Sequence, residues 1–378
     1  MKKDEKTVIT FSFASFLNDL GSDMVSPIWP LFVVYFLKAN MAVLGFIDGL
    51  GDSIVSISQA ISGYLSDKFR KRKVFIWSGY FLASLSRVGY SLSTNWQHLI
   101  PFKIMDRLGK MRDPPRDAII ADVTRKKVRG KSFGLLTAMD NLGAVCGILS
   151  CVFLFGILGY RKLFFLASVP SLISVILILI VIKEKRVRKR IYKGISMKDI
   201  SFNFKLFLLS SIIFSLGFFS YSFLLIYAKE FGFQEYFIPF LYLTFTLVAS
   251  ITSLPFGKLS DKLKRKPILI FSGILFAIVC LGFIYFKSFY SIIALFILYG
   301  LHLGARVPVQ VTFVSELSKP KYRASSLGIF QMTTGLCKLP ASMIAGLLWI
   351  NFGMSAPFLF SLGLTLISIL LLLFVKEK

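Results

Sequence analysis

Apolar stretches of about twenty residues recur along this sequence and alternate with short charged segments. Each stretch is long enough to cross roughly 30 Å of hydrocarbon as a helix. At 55% hydrophobic over 378 residues, the chain carries more apolar side chains than one soluble core of this size would bury. We therefore expect an all-α membrane protein with twelve transmembrane spans. Numbered 1 to 12, they cover residues 8–36, 41–66, 74–94, 97–121, 132–158, 162–182, 204–228, 235–260, 267–286, 290–317, 324–350 and 354–375.

An internal repeat divides the chain into two halves. The basic segment 63–73 recurs 194 positions later as 257–267, with Gly, Leu, Ser and Asp in the same places. One common offset over about seventy residues predicts two structural halves built from one ancestral unit. We expect a six-helix bundle over 1–182, a basic linker over 183–203 and a second bundle over 204–378. The same shift pairs Arg112 with Arg306, Pro114 with Pro308, Asp122 with Glu316, Arg129 with Arg323, Ser132 with Ser326 and Gly134 with Gly328.

The repeated segment also resembles a known family signature. Gly-x-Leu-Ser-Asp-Lys followed by basic residues, as found in 63–73, resembles the loop between helices 2 and 3 of the major facilitator superfamily, and 257–267 resembles its weaker copy between helices 8 and 9. The chain departs from the signature at Arg70 and Lys264, where the family usually has Gly. The resemblance implies two pseudo-symmetric six-helix bundles, the major facilitator fold, and a secondary active transporter. It implies a cytoplasmic gate made of Gly63, Asp67, Arg72, Asp122, Gly257, Asp261, Lys266 and Glu316.

The charge distribution predicts the orientation in the membrane. The net charge of +26 would suggest nucleic-acid binding in a soluble protein, but here the basic residues concentrate in alternate loops. The loops at 68–73, 125–131, 183–198 and 258–266 all fall on one side. We therefore expect a multi-pass protein of the plasma membrane with both termini in the cytoplasm, embedded in the lipid bilayer as a monomer and without a nucleic-acid partner.

Spans 1 and 2 carry acidic residues that a lipid-facing helix would not tolerate. Asp19 and Asp23 lie on a serine-rich stripe of span 1, and Asp48 and Asp52 share a polar face of span 2 with Gln59. An ionised carboxylate at mid-bilayer costs at least about 2.5–3.5 kcal/mol on insertion scales. These side chains must therefore face protein or water. Either a static ion pair with a neighbouring helix or a role in proton coupling or substrate contact would explain them.

Span 4 is so charged that hydropathy alone would make it a loop, but its repeat mate, 290–317, is plainly apolar. On a helical wheel Arg112 and Arg116 lie on one side, and about a third of the circumference on the other side is covered by Lys103, Asp106, Arg107, Lys110, Asp113 and Asp117. Pro114 and the proline after it predict a kink that resets this phase. With Arg87 as a possible counter-ion on span 3, the candidate proton-coupling and cavity residues are Asp19, Asp23, Asp48, Asp52, Arg87, Lys103, Asp106, Arg107, Lys110, Arg112, Asp113 and Asp140.

Further segments resemble drug:proton antiporters of the same superfamily. Residues 20–30, which end in Pro27-Ile28-Trp29-Pro30, resemble the helix 1 signature of the twelve-helix branch, and the run 106–134 resembles an uncharacterised branch. In both, helix 4 carries a buried Arg at the position of Lys103. Gly143-x-x-x-Gly147 resembles the antiporter motif of helix 5 without its proline. Spacing alone predicts only a close helix approach at these glycines.

The second half is poorer in charge, so we expect the coupling chemistry in the first half. Its aromatic residues could line a substrate cavity, although aromatic side chains in membrane helices more often pack or face lipid. His302 is the sole imidazole within its spans. The weaker candidates for a substrate cavity are Trp29, Gln59, Tyr221, Tyr242, Arg306 and Lys338.

Other functional classes lack a sequence signature. The segment Gly130-Lys131-Ser132 lacks the first glycine of a phosphate-binding loop and follows no strand. The four cysteines have no CxxC spacing, which argues against zinc and against a redox motif. We therefore expect no cofactor, no metal and no enzymatic activity, and a transport step driven by an ion or substrate gradient.

The favoured function is alternating-access transport of a small molecule, with protons as the coupling ion. In this hypothesis a proton neutralises Asp19 or Asp23, loosens its pairing with Lys103 or Arg107, and so favours one orientation. The antiporter resemblance favours export. Uptake of an anionic metabolite, which the embedded Arg and Lys residues would suit, is the alternative, and a non-transporting membrane sensor or enzyme is a third possibility.

Overall fold

The structure, a computed structural model, describes residues 3–69, 71–124, 129–182, 201–318 and 323–377. Within these ranges the chain is helical and contains no strand. All twelve predicted spans are confirmed as helical segments, although several are interrupted. Most of the predicted linker, 183–200, lies outside the described residues.

Six helices of ten or more residues make up the described part of the first half. They are α1 Lys3–Val25, α2 Met41–Phe69, α3 Lys73–Leu92, α4 Leu99–Leu108, α5 Asp113–Val123 and α6 Arg129–Val181. Span 1 bends after α1 as its prolines predict, because Pro30 starts a separate short helix, Trp29–Leu31. Helix α6 contains spans 5 and 6, and the chain changes direction at Gly159, whose φ of 65° suits a residue without a Cβ.

Eight helices make up the second half. They are α7 Phe202–Gly217, α8 Ser222–Glu230, α9 Ile238–Leu263, α10 Arg265–Tyr285, α11 Phe289–Leu317, α12 Arg323–Leu336, α13 Lys338–Phe352 and α14 Ala356–Phe374. Span 7 is therefore broken between α7 and α8, and span 11 between α12 and α13. Pro340 lies in the first turn of α13, just after the second break, where its missing N–H costs no helical hydrogen bond. At the first break, Ser220 N–H donates to Ser342 Oγ at 3.2 Å, which replaces the lost helical bond.

The chain forms two compact units, Met1–Ala39 with Ile54–Ile191, and Asn40–Ser53 with Tyr192–Lys378. The first turns of α2 thus group with the second half, which sequence periodicity did not predict. Each unit has its own buried apolar cluster, around Phe11 and Ile120 in the first and around Phe207 and Phe313 in the second. By length and composition, eight helical segments qualify as membrane spans among the described residues.

Close packing of α1 against α6 positions the acidic residues of the first unit. A Cβ added to Gly143 would lie 2.3 Å from the Phe16 carbonyl oxygen, and one added to Gly147 would lie 2.3 Å from the Leu20 carbonyl oxygen. The two backbones can approach this closely only because these positions carry no side chain. The glycine spacing therefore has the packing role that it predicts, and it places Asp140 beside α1.

The turn before α10 forms although it lacks the family's glycine. Lys264 adopts φ 68° and ψ 172°, a conformation that non-glycine residues rarely occupy. The equivalent departure in the first half, Arg70, lies outside the described residues. Thus at Lys264 the chain keeps the turn at the expense of backbone strain.

Candidate proton-coupling site

Two buried arginines and one shared carboxylate form the centre of a charged cluster in the first unit. Arg112 ends the 3-10 turn between α4 and α5, and Arg116 lies one turn further on. Oδ1 of Asp113 is 3.7 Å from Arg112 Nε and 3.3 Å from Arg116 Nη1, while Oδ2 accepts a hydrogen bond from Gln59 Nε2 at 3.1 Å. Asp19 Oδ1, on α1, lies 4.0 Å from Arg112 Nη2. One carboxylate thus serves two cations, and Asp19 lies at the outer limit of ion-pair distance.

Asp140 belongs to the same cluster but is less well compensated. The Ser15 hydroxyl donates to its carboxylate and accepts from Arg116 Nη1 at 2.9 Å. Its Oδ1 is buried and has no hydrogen-bond partner among the described residues. Asp19, Arg116 and Asp113 are its electrostatic neighbours. The carboxylate therefore lies among other charges with one oxygen unsatisfied, which is costly for a buried ionised group.

The helical-wheel assignment of span 4 is wrong in one respect. It placed Arg112 and Arg116 opposite Asp113, whereas both arginines contact this residue. Asp113 and Arg116 are i, i+3 neighbours within α5, which brings their side chains together, and Arg112 adjoins Asp113 at the end of the 3-10 turn Gly109–Arg112. The kink that the two prolines predict is confirmed. Asp117 is 43% exposed and pairs with Arg116 at 3.0 Å.

Arg87, on α3, forms hydrogen bonds to both α1 and α6. It is 2% exposed and donates to the carbonyl oxygens of Asn18 and Ala167 at 3.2 and 3.1 Å, and also to Ser171 Oγ. Among the described residues, no carboxylate forms an ion pair with Arg87. The structure thus places Arg87 between α1 and α6, where it bonds to backbone and hydroxyl oxygens.

The other charges of α4 lie apart from Asp19. Lys103 is 3% exposed, and its Nζ lies 3.8 Å above the ring of Trp29, a cation–π contact. Arg107 Nε is 3.5 Å from Asp106 Oδ2, and Lys110 is an electrostatic neighbour of Asp106. The cation beside Asp19 is therefore Arg112 and not the predicted Lys103 or Arg107. Asp23 is half-buried on α1.

The acids at the start of α2 contact the second half. Asp48 is 7% exposed, and its Oδ2 accepts hydrogen bonds from Ser220 at 2.8 Å and Ser222 at 2.5 Å. Asp52 pairs with Lys338 at 3.2 Å. These two predicted coupling residues therefore belong to the second unit. Asp48 contacts the break between α7 and α8, and Asp52 contacts the first residue of α13.

The aromatic candidates of the second half form a continuous series of ring contacts. Tyr221 and Tyr242 lie 5.2 Å apart between ring centroids, and Tyr242 and Phe245 4.9 Å apart. Phe245 contacts Tyr299, and Tyr299 contacts Phe218. All but Phe218 and Tyr221 are buried, which agrees with the packing alternative for most of them.

The repeated loops each hold a triad of charges. In the first, Arg72 pairs with Asp67 at 2.8 Å and with Asp122 at 2.6 Å. Burial alone would lower the pKa of Arg72, but the hydrogen bonds of Asp67 and Asp122 outweigh it and raise that pKa above its ordinary value. Gly63 packs near Pro114.

The second triad uses a different cation from the one predicted. Arg265 pairs with Asp261 at 2.6 Å and with Glu316 at 2.9 Å. Lys266, the repeat mate of Arg72, donates instead to the carbonyl oxygen of Val375 at 3.1 Å. A Cβ added to Gly257 would meet nothing within 4 Å. The cation of the second triad is thus Arg265, one residue before the repeat mate of Arg72.

Several residues of the clusters were missed at the level of sequence. Ser15 and Ser222 resemble the many other serines of the spans, and only their bonds to carboxylates distinguish them. Tyr80, whose ring lies 4.8 Å from the Arg112 guanidinium, could not be told from a packing aromatic. Among the described residues, no group of three or more His, Cys, Asp or Glu side chains could hold a metal ion.

Comparisons with known proteins agree with this architecture. The family model of the Major Facilitator Superfamily matches residues 11–205 and 206–378. An uncharacterized MFS-type transporter of Methanocaldococcus jannaschii is 38% identical over 381 residues, 98% of this chain and 95% of the relative. The multi-drug resistance efflux pump PmrA of Streptococcus pneumoniae is 26% identical and covers 84% of this chain and 82% of its own length.

A solved structure shows the same fold. The bacterial homolog of the human lysosomal transporter Spinster, in an inward-facing and occupied conformation, superposes with a TM-score of 0.80 at 13% identity, over 97% of this chain and 96% of that one. At this identity the likeness establishes the fold alone. Because the family model covers both halves and the archaeal relative nearly the whole length, the chain belongs to the Major Facilitator Superfamily.

Proposed function

We propose that this multi-pass membrane transporter is a proton-coupled antiporter that exports a small organic molecule from the cytoplasm. The observation that carries the proposal is the charged cluster of the first unit, where Asp19 and Asp140 lie beside two buried arginines. Intramembrane ionisable groups of this kind are typical of ion pathways and proton relays. The direction of transport is supported by the Streptococcus pneumoniae relative, which is named as an efflux pump. The basic loops support cytoplasmic termini.

Asp140 and Asp19 are the proton acceptors in this mechanism. Protonation of Asp140 removes a buried negative charge. The Oδ1 of this carboxylate receives no hydrogen bond from the described residues. Protonation of Asp19 weakens its attraction to Arg112. Asp113, which also pairs with Arg116, is then the remaining carboxylate beside Arg112. Since Asp19 and Asp140 lie on α1 and α6, and Arg112 precedes α5, protonation alters the interactions that hold these helices together. Such a change can shift the balance between two conformations of a transporter.

Everted membrane vesicles test this proposal. With ethidium as the probe, an imposed pH gradient should drive its accumulation by the wild type. Asp19→Asn and Asp140→Asn should each lower this accumulation about tenfold or more, which corresponds to at least about 1.4 kcal/mol. Asparagine can still accept from Ser15 at position 140 and from Asn18 at position 19, so both variants should fold. Glu235→Gln, in the 3-10 turn just before α9 and with its side chain 41% exposed, is the matched control and should transport normally. Unchanged gradient-driven transport in both aspartate variants would refute the mechanism.

Uptake of an anionic metabolite is the second candidate. It is favoured by Arg306, which stands without a carboxylate partner in the ion pairs of the described residues. Right-side-out vesicles separate the two directions, because an importer would accumulate its substrate there under an inward proton gradient. An enzymatic role is not retained, since the members of this family are transporters.

A further inference from the structure

Arg306 is a cation near the middle of a membrane helix. It lies well inside α11, a helix of 29 residues, and is half-buried. Its guanidinium carbon lies 3.4 Å from the ring centroid of Phe214. Within the described part of the second unit, no ion pair or hydrogen bond of this side chain is observed. A charged group at such depth is costly unless it is paired or has a function, and the contact with one ring compensates only part of its charge.

Comparison of the two halves shows that Arg306 lacks a carboxylate that its repeat mate has. The mate of Arg306 is Arg112, which is held between Asp113 and Asp19. The residue that corresponds to Asp113 is Val307, since 113 plus 194 is 307. The second half has thus kept the arginine while replacing the neighbouring carboxylate by an apolar side chain. An anion that comes from outside the chain could restore the pairing of the first half.

The surroundings of Arg306 suit a planar apolar group. Phe214 contacts Phe218 and Phe276 at centroid distances of 5.5 and 5.6 Å, and Phe218 stacks on Tyr299 at 6.2 Å. Phe218 is half-buried, so part of this aromatic group remains accessible. Such rings favour offset or edge-on contacts with another aromatic ring.

His302, one turn before Arg306, offers a second unsatisfied polar atom. Its Nδ1 lies 2.8 Å from the carbonyl oxygen and 2.9 Å from the hydroxyl of Ser272. In the neutral tautomer that donates from Nδ1 to this carbonyl, the lone pair is on Nε2. Nε2 is buried and has no partner among the described residues. The ring packs against Phe214 and Phe276. An unpaired cation and an unpaired acceptor thus adjoin the same aromatic side chains.

We propose that Arg306 binds the acidic group of an aromatic organic acid, whose ring packs against Phe214 and Phe218. Guanidinium binds carboxylates through a planar pair of hydrogen bonds, which lysine cannot reproduce. This assignment rests on the proposed transport function and adds aromatic acids to the organic molecules that the transporter takes, alongside cations such as ethidium. It does not depend on the coupling ion or on the direction of transport.

Thermal melting of the purified full-length protein tests the proposal without a transport step. The probes are 1-naphthoate and nalidixate, with 1-naphthalenemethanol as the uncharged match. Ligand at 100 times its Kd stabilises a folded protein by about 2.7 kcal/mol, so a measurable rise in Tm is expected for the acids. The alcohol should give little shift. Arg306→Met should abolish the shift with the acids, and Arg306→Lys should reduce it.

Matched controls separate binding from loss of structure. Arg161→Gln removes another arginine that stacks on a phenylalanine, Phe36 at 5.5 Å, and should leave the response to the acids intact. The melting assay contains no proton gradient and no transport step, so failure of the coupling mechanism would leave this result unaffected. The proposal is overturned if neither acid raises the Tm of the wild type, if Arg306→Met responds as the wild type does, or if only an anionic phospholipid gives an Arg306-dependent shift.

Discussion

The contact between α1 and α6 allows the most direct prediction of stability. In Gly147→Ala, the new methyl group would lie 2.3 Å from the Leu20 carbonyl oxygen and 3.1 Å from the carbonyl carbon of Asp23. Ordinary van der Waals contact begins near 3.4 Å, so the two helices must separate by roughly 1 Å or distort. Overpacking of this kind costs about 1–3 kcal/mol. Gly143→Ala meets Phe16 at the same 2.3 Å and should behave alike.

The assay is thermal unfolding of the purified variants in detergent, followed by scanning fluorimetry. Gly156→Ala is the matched control, because it lies in the same helix and its methyl group would meet nothing within 4 Å. Alanine is favoured over glycine by about 1 kcal/mol in a helix interior, so the Tm of this variant should stay level or rise. The Tm of the other two variants should fall clearly. Equal Tm values for all three would refute the argument that glycine permits this helix contact.

Three further predictions concern other parts of the chain. Lys264→Gly should raise the Tm, because glycine relieves a positive-φ strain of about 1–3 kcal/mol at an entropic cost of about 0.5–1 kcal/mol. Ser222→Ala removes one of the two hydroxyls that donate to Asp48, and this should destabilise the fold by about 1–3 kcal/mol in chemical or thermal unfolding. Arg265→Gln should reduce transport in vesicles more than Lys266→Gln does, since Arg265 carries the ion pairs of the second triad.

Each of these predictions has an outcome that would contradict it. A lower Tm for Lys264→Gly would mean that this turn carries no strain. Unfolding of Ser222→Ala at the wild-type temperature would show that Asp48 does not depend on this hydroxyl. A larger transport defect in Lys266→Gln than in Arg265→Gln would restore the strict repeat register for the gate.

The spans could be predicted because membrane crossing imposes both a length and an apolar composition on a helix. The repeat extended that prediction to span 4, whose charges conceal it from hydropathy. The interruptions were harder. Pro340 lies next to the break within span 11, but the local sign in span 7 is Gly217, and a single glycine is also common inside membrane helices. That break is stabilised by Ser342 and Asp48, which are distant in sequence, so periodicity could not reveal it.

The members of the charged cluster could be named from sequence, but their partners could not. An intramembrane Asp or Arg is conspicuous in any apolar stretch. Which two residues meet depends on the 3-10 turn before α5 and on the close glycine contact of α6 with α1, and ideal helical spacing describes neither of them. For this reason the sequence predicts that Asp19 or Asp23 pairs with Lys103 or Arg107, whereas Arg112 is the cation beside Asp19.

Proton release from the purified transporter tests the central claim most directly. In a weakly buffered solution with a pH-sensitive dye, ethidium added to the wild type should displace protons from Asp19 and Asp140. The double variant Asp19→Asn with Asp140→Asn should bind ethidium without releasing protons. Release of equal size from the double variant, or ethidium binding to the wild type without any release, would contradict the account.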